Sequence, residues 1–341
     1  MMRFPSQRLE ALRAAFEGRR ICVTGGAGFI GAHTVDVLLA CGATVSVIDD
    51  LSNSMLATLS DHLEMTPERL RFVYGSILDD RALSEAIEGC DRVIHLAAMG
   101  SVPRSFEQPT RAFEVNATGT LRVLEAARRA GADRVVLAAS SSAYGDPSEL
   151  PCLETMPNSP MSPYAASKLA AEALCQAWPD GYGLDTVCLR YFNVFGPRQR
   201  SDSDYAAVVA AFAKRLLAGE APVIYGDGQQ ARDFTYVANA VDATLRAASL
   251  GTALGGRIMN IGAGAGGCTI ADLARMMGEH LAPDAPAPVF EPARPGDVRD
   301  SAADITRARD LLGYEPLVDL QAGLEETCAW FRTAEPEESR P

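Results

Sequence analysis

Six short apolar runs, RRICVTG, ATVSVIDD, RLRFVYG, DRVIHLAA, DRVVLAAS and LDTVCLRYFN, recur up to residue 195, with helix-patterned stretches between them. A run apolar on nearly every residue suits a strand buried on both faces. Strands joined through helices build right-handed crossovers around a parallel sheet. The expected fold class is therefore α/β, a doubly wound parallel sheet. An amphipathic helix over residues 5–17 precedes it. Beyond residue 195 the pattern loosens into a helix over 204–218, a strand at APVIYG, a turn at GDGQQ and a Pro-rich stretch over 283–297, which together read as a smaller C-terminal lobe. RIMNIG (257–262) reads as a buried strand returning to the main sheet. The expected division is 19–195 for the main domain and 196–256 with 263–333 for the lobe that takes the substrate. The tail TAEPEESRP is polar and charged and is expected to be disordered.

A chain of 341 residues can bury a substantial core. Its 31 Lys plus Arg stand against 44 Asp plus Glu, a formal charge of -13, which argues against a general nucleic-acid surface. No apolar run approaches the roughly 18 residues of a membrane span. The opening MMRFPSQRLEALRAAFEGRR lacks the apolar centre of a signal peptide, so a cytoplasmic protein with no membrane partner is expected. The eight cysteines show no CxxC spacing, and most fall in apolar segments, so neither zinc nor disulfides are indicated.

VTGGAGFIG follows the first strand and leads into a helix pattern. Gly25, Gly28 and Gly31 permit a tight turn, close approach of backbone to a pyrophosphate, and close helix–strand packing. Asp49 ends the next strand, 18 residues after Gly31, where a carboxylate accepts hydrogen bonds from adenosine ribose hydroxyls and repels a 2′-phosphate. This makes the sheet Rossmann-type and the cofactor NAD rather than NADP. Asp50 is either the alternative main contact or a solvated neighbour.

PYAASK places Tyr164 four residues before Lys168, one helical turn apart on one face. A fixed ammonium favours phenolate and lowers a phenol's pKa, which makes Tyr164 a usable base.

Strand, GxxGxxG turn, acidic strand end, HLAA, Asn116, SSSAYGD and the YxxxK pair together resemble the extended short-chain dehydrogenase/reductase family, in particular its NAD-dependent nucleotide-sugar 4-epimerases. The resemblance covers about residues 19 to 333. It implies that Tyr164 is the catalytic base and acid, that Lys168 lowers its pKa and binds the nicotinamide ribose, and that Ser140 completes the site. It also implies cofactor contacts at Gly25, Gly28, Phe29, Ile30, Asp49, Asp50, Asn53, Ser76, Ile77, Leu96, Ala97, Ala98, Asn116, Tyr191 and Val194. The UDP-sugar is expected at Gly100, Ser101, Ser141, Ser142, Asn193, Arg200, Ala207, Val208, Tyr225, Arg232, Arg294, Asp297 and Ser301. Arginine suits diphosphate because its planar fork donates two parallel hydrogen bonds. One departure stands out: the family's Asp before an aliphatic residue, which meets the adenine amine, is Ser76 in GSIL.

The mechanism implied is removal of the 4-hydroxyl proton by Tyr164 as hydride leaves C4 for NAD, rotation of a transient 4-keto sugar, and hydride return to the other face. The runner-up is an NDP-sugar 4,6-dehydratase or another NDP-sugar-modifying short-chain dehydrogenase; against it, dehydratase relatives use an Asp-Glu pair where Ser141 and Ser142 stand, and a hydroxyl cannot act as that acid and base. A non-catalytic NAD-binding regulator is the alternative of a different class. GSVPRS, the extra N-terminal helix and small Ser301 resemble epimerases of UDP-N-acetylhexosamines, although Ser301 could equally be filler. Arg200 stands where epimerases of UDP-glucuronate carry an arginine for the carboxylate, or it pairs with Asp202 or Asp204. UDP-GlcNAc/UDP-GalNAc comes first, UDP-glucuronate close behind, and UDP-glucose remains open. The helical segments 110–131 and 163–178 carry rich apolar faces whose family counterparts form a dimeric four-helix bundle, which implies a homodimer.

Overall fold

In the computed structural model, residues 4–201, 207–264, 266–293 and 298–333 are described. Seven strands build the main sheet: β1 Arg20–Thr24, β2 Thr44–Asp49, β3 Leu70–Tyr74, β4 Arg92–His95, β5 Arg134–Ser140, β6 Asp185–Tyr191 and β7 Arg257–Ile261. Their order across the sheet is β7-β6-β5-β4-β1-β2-β3, and every neighbouring pair is parallel. The order reverses between β1 and β4, so the crevice of a doubly wound sheet opens there, beyond the carboxyl ends of those strands. RIMNIG does return to the sheet, as its edge strand β7.

Adjacent strand residues face opposite sides, and both sides are apolar. Ile21, Val23, Ile94 and Val136 pack with one buried cluster, while Cys22, Val93, Val135 and Leu137 pack with the other. The first side is covered by α1 Ser6–Phe16, α2 Phe29–Ala40 and, later in the chain, Val237–Ser249. The second is covered by α3 Gly119–Ala130 and α4 Pro163–Tyr182. In α1, Leu12 and Phe16 are buried, which fixes the N-terminal helix to the domain. Seven of the eight cysteines are buried among these apolar side chains, as the sequence pattern requires. No helix among the described residues is long and apolar enough to cross a membrane.

The helix expected over 204–218 is described from Val208 to Leu217, and residues 204–206 of it lie outside the described residues. Helix 110–131 is not continuous: the backbone passes through a π-helical turn at Glu114–Thr118 before α3 begins. Helix α4 starts where its sequence says it must. Ser162 caps it by accepting the Ala165 N–H at 3.1 Å, Pro163 occupies the first turn, and Gly183 ends it at φ 71°.

Candidate active site

One cleft of about 1570 Å3 runs from the β2 end of the sheet, past the β1/β4 crevice, to the segments after β6. Its cofactor-side wall begins at the glycine turn. Gly25 has φ 70°, and a Cβ there would lie 2.7 Å from the Ala97 nitrogen; a Cβ on Gly31 would lie 2.1 Å from the Gly25 carbonyl oxygen. Glycine is therefore required at both places, and the N-terminus of α2 points its free N–H groups into the crevice. Asp49 is 9% exposed; its carboxylate accepts from Ala27 N at 3.0 Å, Leu51 N at 2.9 Å and Ser54 Oγ at 2.7 Å. Two carboxylate oxygens offer about four acceptor directions, so one remains for a ribose hydroxyl. Asp50 closes a local turn onto Ser52 N at 3.0 Å. The glycine cradle and the acidic strand end fit NAD.

Phe29, Ile30, Asn53, Ser76, Ile77, Leu96, Ala97 and Ala98 line the same wall. Ser76 Oγ accepts the Leu78 N–H at 3.2 Å, a local turn in the place of the family's adenine contact. Asn116 does not line the cleft. It stands behind the wall in the π turn, taking the Met99 N–H at 2.8 Å and donating to Ser167 Oγ at 2.9 Å, while Ser167 donates to the Tyr164 carbonyl at 2.7 Å. Its place is to set the start of α4.

Ser140 is the last residue of β5, Tyr164 sits in the first turn of α4, and Lys168 lies one turn further on. The Tyr164 phenol is hydrogen-bonded to Ser140. Ser140 Oγ also accepts from Ser142, whose Oγ lies at 2.9 Å and whose N lies at 3.2 Å. Lys168 Nζ donates to the Ala138 carbonyl at 2.9 Å, two residues before Ser140 on β5. The pKa balance differs from the one expected of a cation beside a phenol. Burial pushes the Tyr164 phenol up, with the Ser140 hydrogen bond pulling it back, and burial brings the Lys168 ammonium down to about 8, opposed by the Glu172 charge. The ammonium is spent on a strand carbonyl, so desolvation outweighs it at the phenol.

Behind these groups runs a buried chain invisible to sequence spacing. Thr120 donates to the Asn116 carbonyl at 2.6 Å, so His95 Nε2, at 3.0 Å from Thr120 Oγ1, is the donor there. His95 Nδ1 then accepts from Thr24 Oγ1 at 2.7 Å, and Thr24 accepts the Ala97 N–H at 3.2 Å. Burial and the Lys168 charge bring the imidazole down to about 3, so it stays neutral. This chain ties the strand before the glycine turn to the π turn that orients α4. The His in HLAA was the one visible signal of it.

On the sugar side, Gly100, Ser101, Ser141, Asn193, Val194, Arg200, Ala207, Val208, Tyr225, Arg232 and Ser301 line the cleft, with Tyr191. Arg294 and Asp297 lie outside the described residues. Asn193 holds φ 29° and donates to the Asp233 carbonyl at 3.1 Å and Ser301 Oγ at 3.3 Å. Thr244 gives its proton to the Ala240 carbonyl, so Tyr191 is the donor in its 2.6 Å contact with Thr244. The Arg232 guanidinium donates to the Arg299 carbonyl at 2.6 Å and to that of Val298.

The loop after Val194 is clamped to α2. Arg198, at φ 66°, donates to Asp36 at 2.9 Å; His62 contacts the same carboxylate at 2.8 Å; His33 Nε2 lies 2.9 Å from the Pro197 carbonyl. Burial brings His33 down to about 4, so it is neutral and donates through Nε2. None of these four residues was singled out from the sequence.

Comparison with known proteins agrees with this geometry. A UDP-glucose 4-epimerase of Mycolicibacterium smegmatis is 42% identical over 92% of this chain and 98% of its own length. The structure of a UDP-N-acetylglucosamine 4-epimerase from Methanobrevibacter ruminantium, in complex with UDP-N-acetylmuramic acid, matches at TM-score 0.86 and 36% identity over 93% of this chain and 99% of that one. A UDP-glucose 4-epimerase from Thermotoga maritima, with UDP-glucose, matches at TM-score 0.85 and 38% identity over 92% and 98%. Residues 21–262 match the family described as the NAD dependent epimerase/dehydratase family, and the chain belongs to it.

Proposed function

We propose that the chain is a UDP-sugar 4-epimerase that inverts C4 through a transient 4-keto sugar. The observation that carries this reading is the Ser140, Tyr164, Lys168 set together with the direction of Ser142, whose hydroxyl turns back onto Ser140. Positions 141 and 142 thus offer no carboxylate for eliminating water across C5 and C6. Bound NAD supplies the hydride acceptor and donor for C4.

Tyr164 takes the 4-hydroxyl proton and returns it. Ser140, with lone pairs occupied by the two Ser142 donors, keeps its own proton for the oxygen in front of it, either the phenol's or the sugar's. Lys168 fixes the strand end and adds positive charge behind the phenol. Asn193, Arg232, Tyr225, Ala207 and Val208 would hold the nucleotide, with Arg294 and Asp297 assigned by resemblance.

For the sugar, UDP-GlcNAc/UDP-GalNAc is the reading supported by small Ser301 beside Asn193. UDP-glucuronate is supported by Arg200 in the cleft wall, and UDP-glucose remains a further substrate of the same pocket. A homodimer is part of the proposal; Phe113 and Leu121, 51% and 37% exposed, lie on the 110–131 segment expected to pair.

Proton NMR of the purified enzyme with each of UDP-GlcNAc, UDP-glucuronate and UDP-glucose, without added NAD, tests the reading. Appearance of the anomeric and H4 signals of a 4-epimer supports it and identifies the sugar. No new epimer from any of the three refutes it.

A further inference from the structure

Beneath Lys168 lies a buried ion pair that the proposed reaction does not use. Arg190, on β6, donates Nε to Glu172 Oε1 at 2.9 Å and Nη2 to Oε2 at 2.7 Å; the two side chains are 1% and 2% exposed. Glu172 is four residues after Lys168 on α4, one turn away on the same face. Arg190 also stacks 4.5 Å over the Tyr144 ring, and its Nη2 donates to Asn158 at 2.8 Å. Tyr144 ends the short turn Ser141–Tyr144 that follows Ser140, and its hydroxyl is fixed to Asn260 at 2.6 Å. One pair therefore touches the supports of both Lys168 and Ser140.

The titratable and charged groups around Lys168 are Tyr164, Glu172 and Cys175 on its own helix, His95 on β4, and Cys188 and Arg190 on β6. Burial raises the phenol's pKa and keeps the imidazole neutral, and the hydrogen bond that the Cys188 thiol donates to Cys175, together with burial, pushes that thiol well up. Glu172 supplies the negative charge. A buried ammonium is otherwise driven towards the neutral amine.

We propose that Glu172, held by the Arg190 fork, is a positioning residue for catalysis: its carboxylate keeps Lys168 charged inside the protein, and Arg190 carries the same fixed point to the Ser140 turn through Tyr144. This rests on the reading of Lys168 as a working member of the site.

The chain contains only two lysines, Lys168 and the exposed Lys214, so enzyme labelled with 13C at the lysine ε-carbon gives two assignable titration curves. In the NAD-carrying enzyme, Glu172→Gln is expected to lower the Lys168 midpoint by about one pH unit or more, the usual effect of losing a nearby opposite charge, and to leave Lys214 in place. The high-pH limb of kcat should move with it. Asn158→Asp/Glu172→Gln preserves the charge of the cluster and a carboxylate for Arg190 Nη2 but moves that carboxylate off α4; it should give the same displacement even where Glu172→Gln alone folds poorly. A wild-type Lys168 midpoint in the folded double variant overturns the proposal. Absence of epimerisation in the wild type would refute the proposed reaction instead, and the midpoint would still decide the role of Glu172.

Discussion

Replacing Asp36 with Ala should weaken sugar-nucleotide binding without touching the chemistry. Arg198 sits at φ 66°, which costs a residue with a side chain about 1–2 kcal/mol. Two links oppose that cost: the 2.9 Å pair with Asp36 and the bond from His33 to the Pro197 carbonyl. The carboxylate is 5% exposed but the guanidinium 27%, so after solvent screening the pair is worth about 1–2 kcal/mol. Without it the remaining hydrogen bond, worth about 1 kcal/mol, only balances the strain. The loop that carries Gln199 and Arg200 into the cleft then spends about half of its time or more elsewhere. The competent fraction, about five-sixths when the net preference is about 1 kcal/mol, falls to between about a half and a sixth, which raises KM for the UDP-sugar by about 2- to 5-fold. Steady-state kinetics should show that rise with kcat within about twofold of wild type, because 1.4 kcal/mol per tenfold applies only to the step that changes; NAD content, read by absorbance, should not change. Asp36→Ala/Arg198→Gly should recover part of the loss, since glycine takes a left-handed φ without strain. An unchanged KM, or a fall in kcat alone, would refute the argument that α2 holds the loop.

Tyr164→Phe should lower kcat by about 100- to 10,000-fold, the usual share of a general acid–base group, with NAD retained and UDP-sugar binding by calorimetry little altered. Ser142→Ala removes one of the two donors to Ser140 and should reduce kcat roughly tenfold, with Ser142→Thr recovering most of it; equal rates for Ala and wild type would exclude the hydroxyl from orienting Ser140. His33 and His95 have folded pKa values of about 4 and about 3, below the 6.5 of an unfolded histidine, so the unfolded chain binds more protons as pH falls. Their contribution is complete above pH 6.5 and is lost on acidification towards pH 4, by roughly 3 kcal/mol for each at 1.36 kcal/mol per unit. Urea unfolding at pH 7 and pH 4.5 should show the loss, and His95→Gln should flatten it.

The doubly wound parallel sheet was legible because buried parallel strands are apolar on consecutive residues, and the Tyr164–Lys168 pair was legible because helical spacing is local. What escaped was polar and distant. Asp36 meets Arg198 across 162 residues, and Glu172 meets Arg190 across 18. In a sequence each of these looks like one more charge on a soluble surface. Arg190, in the middle of the apolar run LDTVCLRYFN, was the one misfit that could have pointed inward. Expecting a depressed Tyr164 pKa failed for a related reason: spacing gives the neighbour of a group but not its desolvation, nor that the ammonium is turned to the Ala138 carbonyl.

The two walls of the cleft are built differently. Gly25, Asp49, Ala97 and Ser140 stand at or just beyond the ends of strands fixed on both sides within the seven-stranded sheet. The opposite wall is put together from fragments: Val194–Phe195 against Thr235–Tyr236, Val223–Tyr225 against Val289–Glu291, and Ala231–Arg232 against Cys268–Thr269, each pair only two or three residues long. Such fragments can be exchanged one at a time while the wall that faces the cofactor keeps its register. A lineage with this architecture can therefore acquire a new sugar by local edits, and a designer can graft one fragment pair without rebuilding the half of the enzyme that carries the hydride.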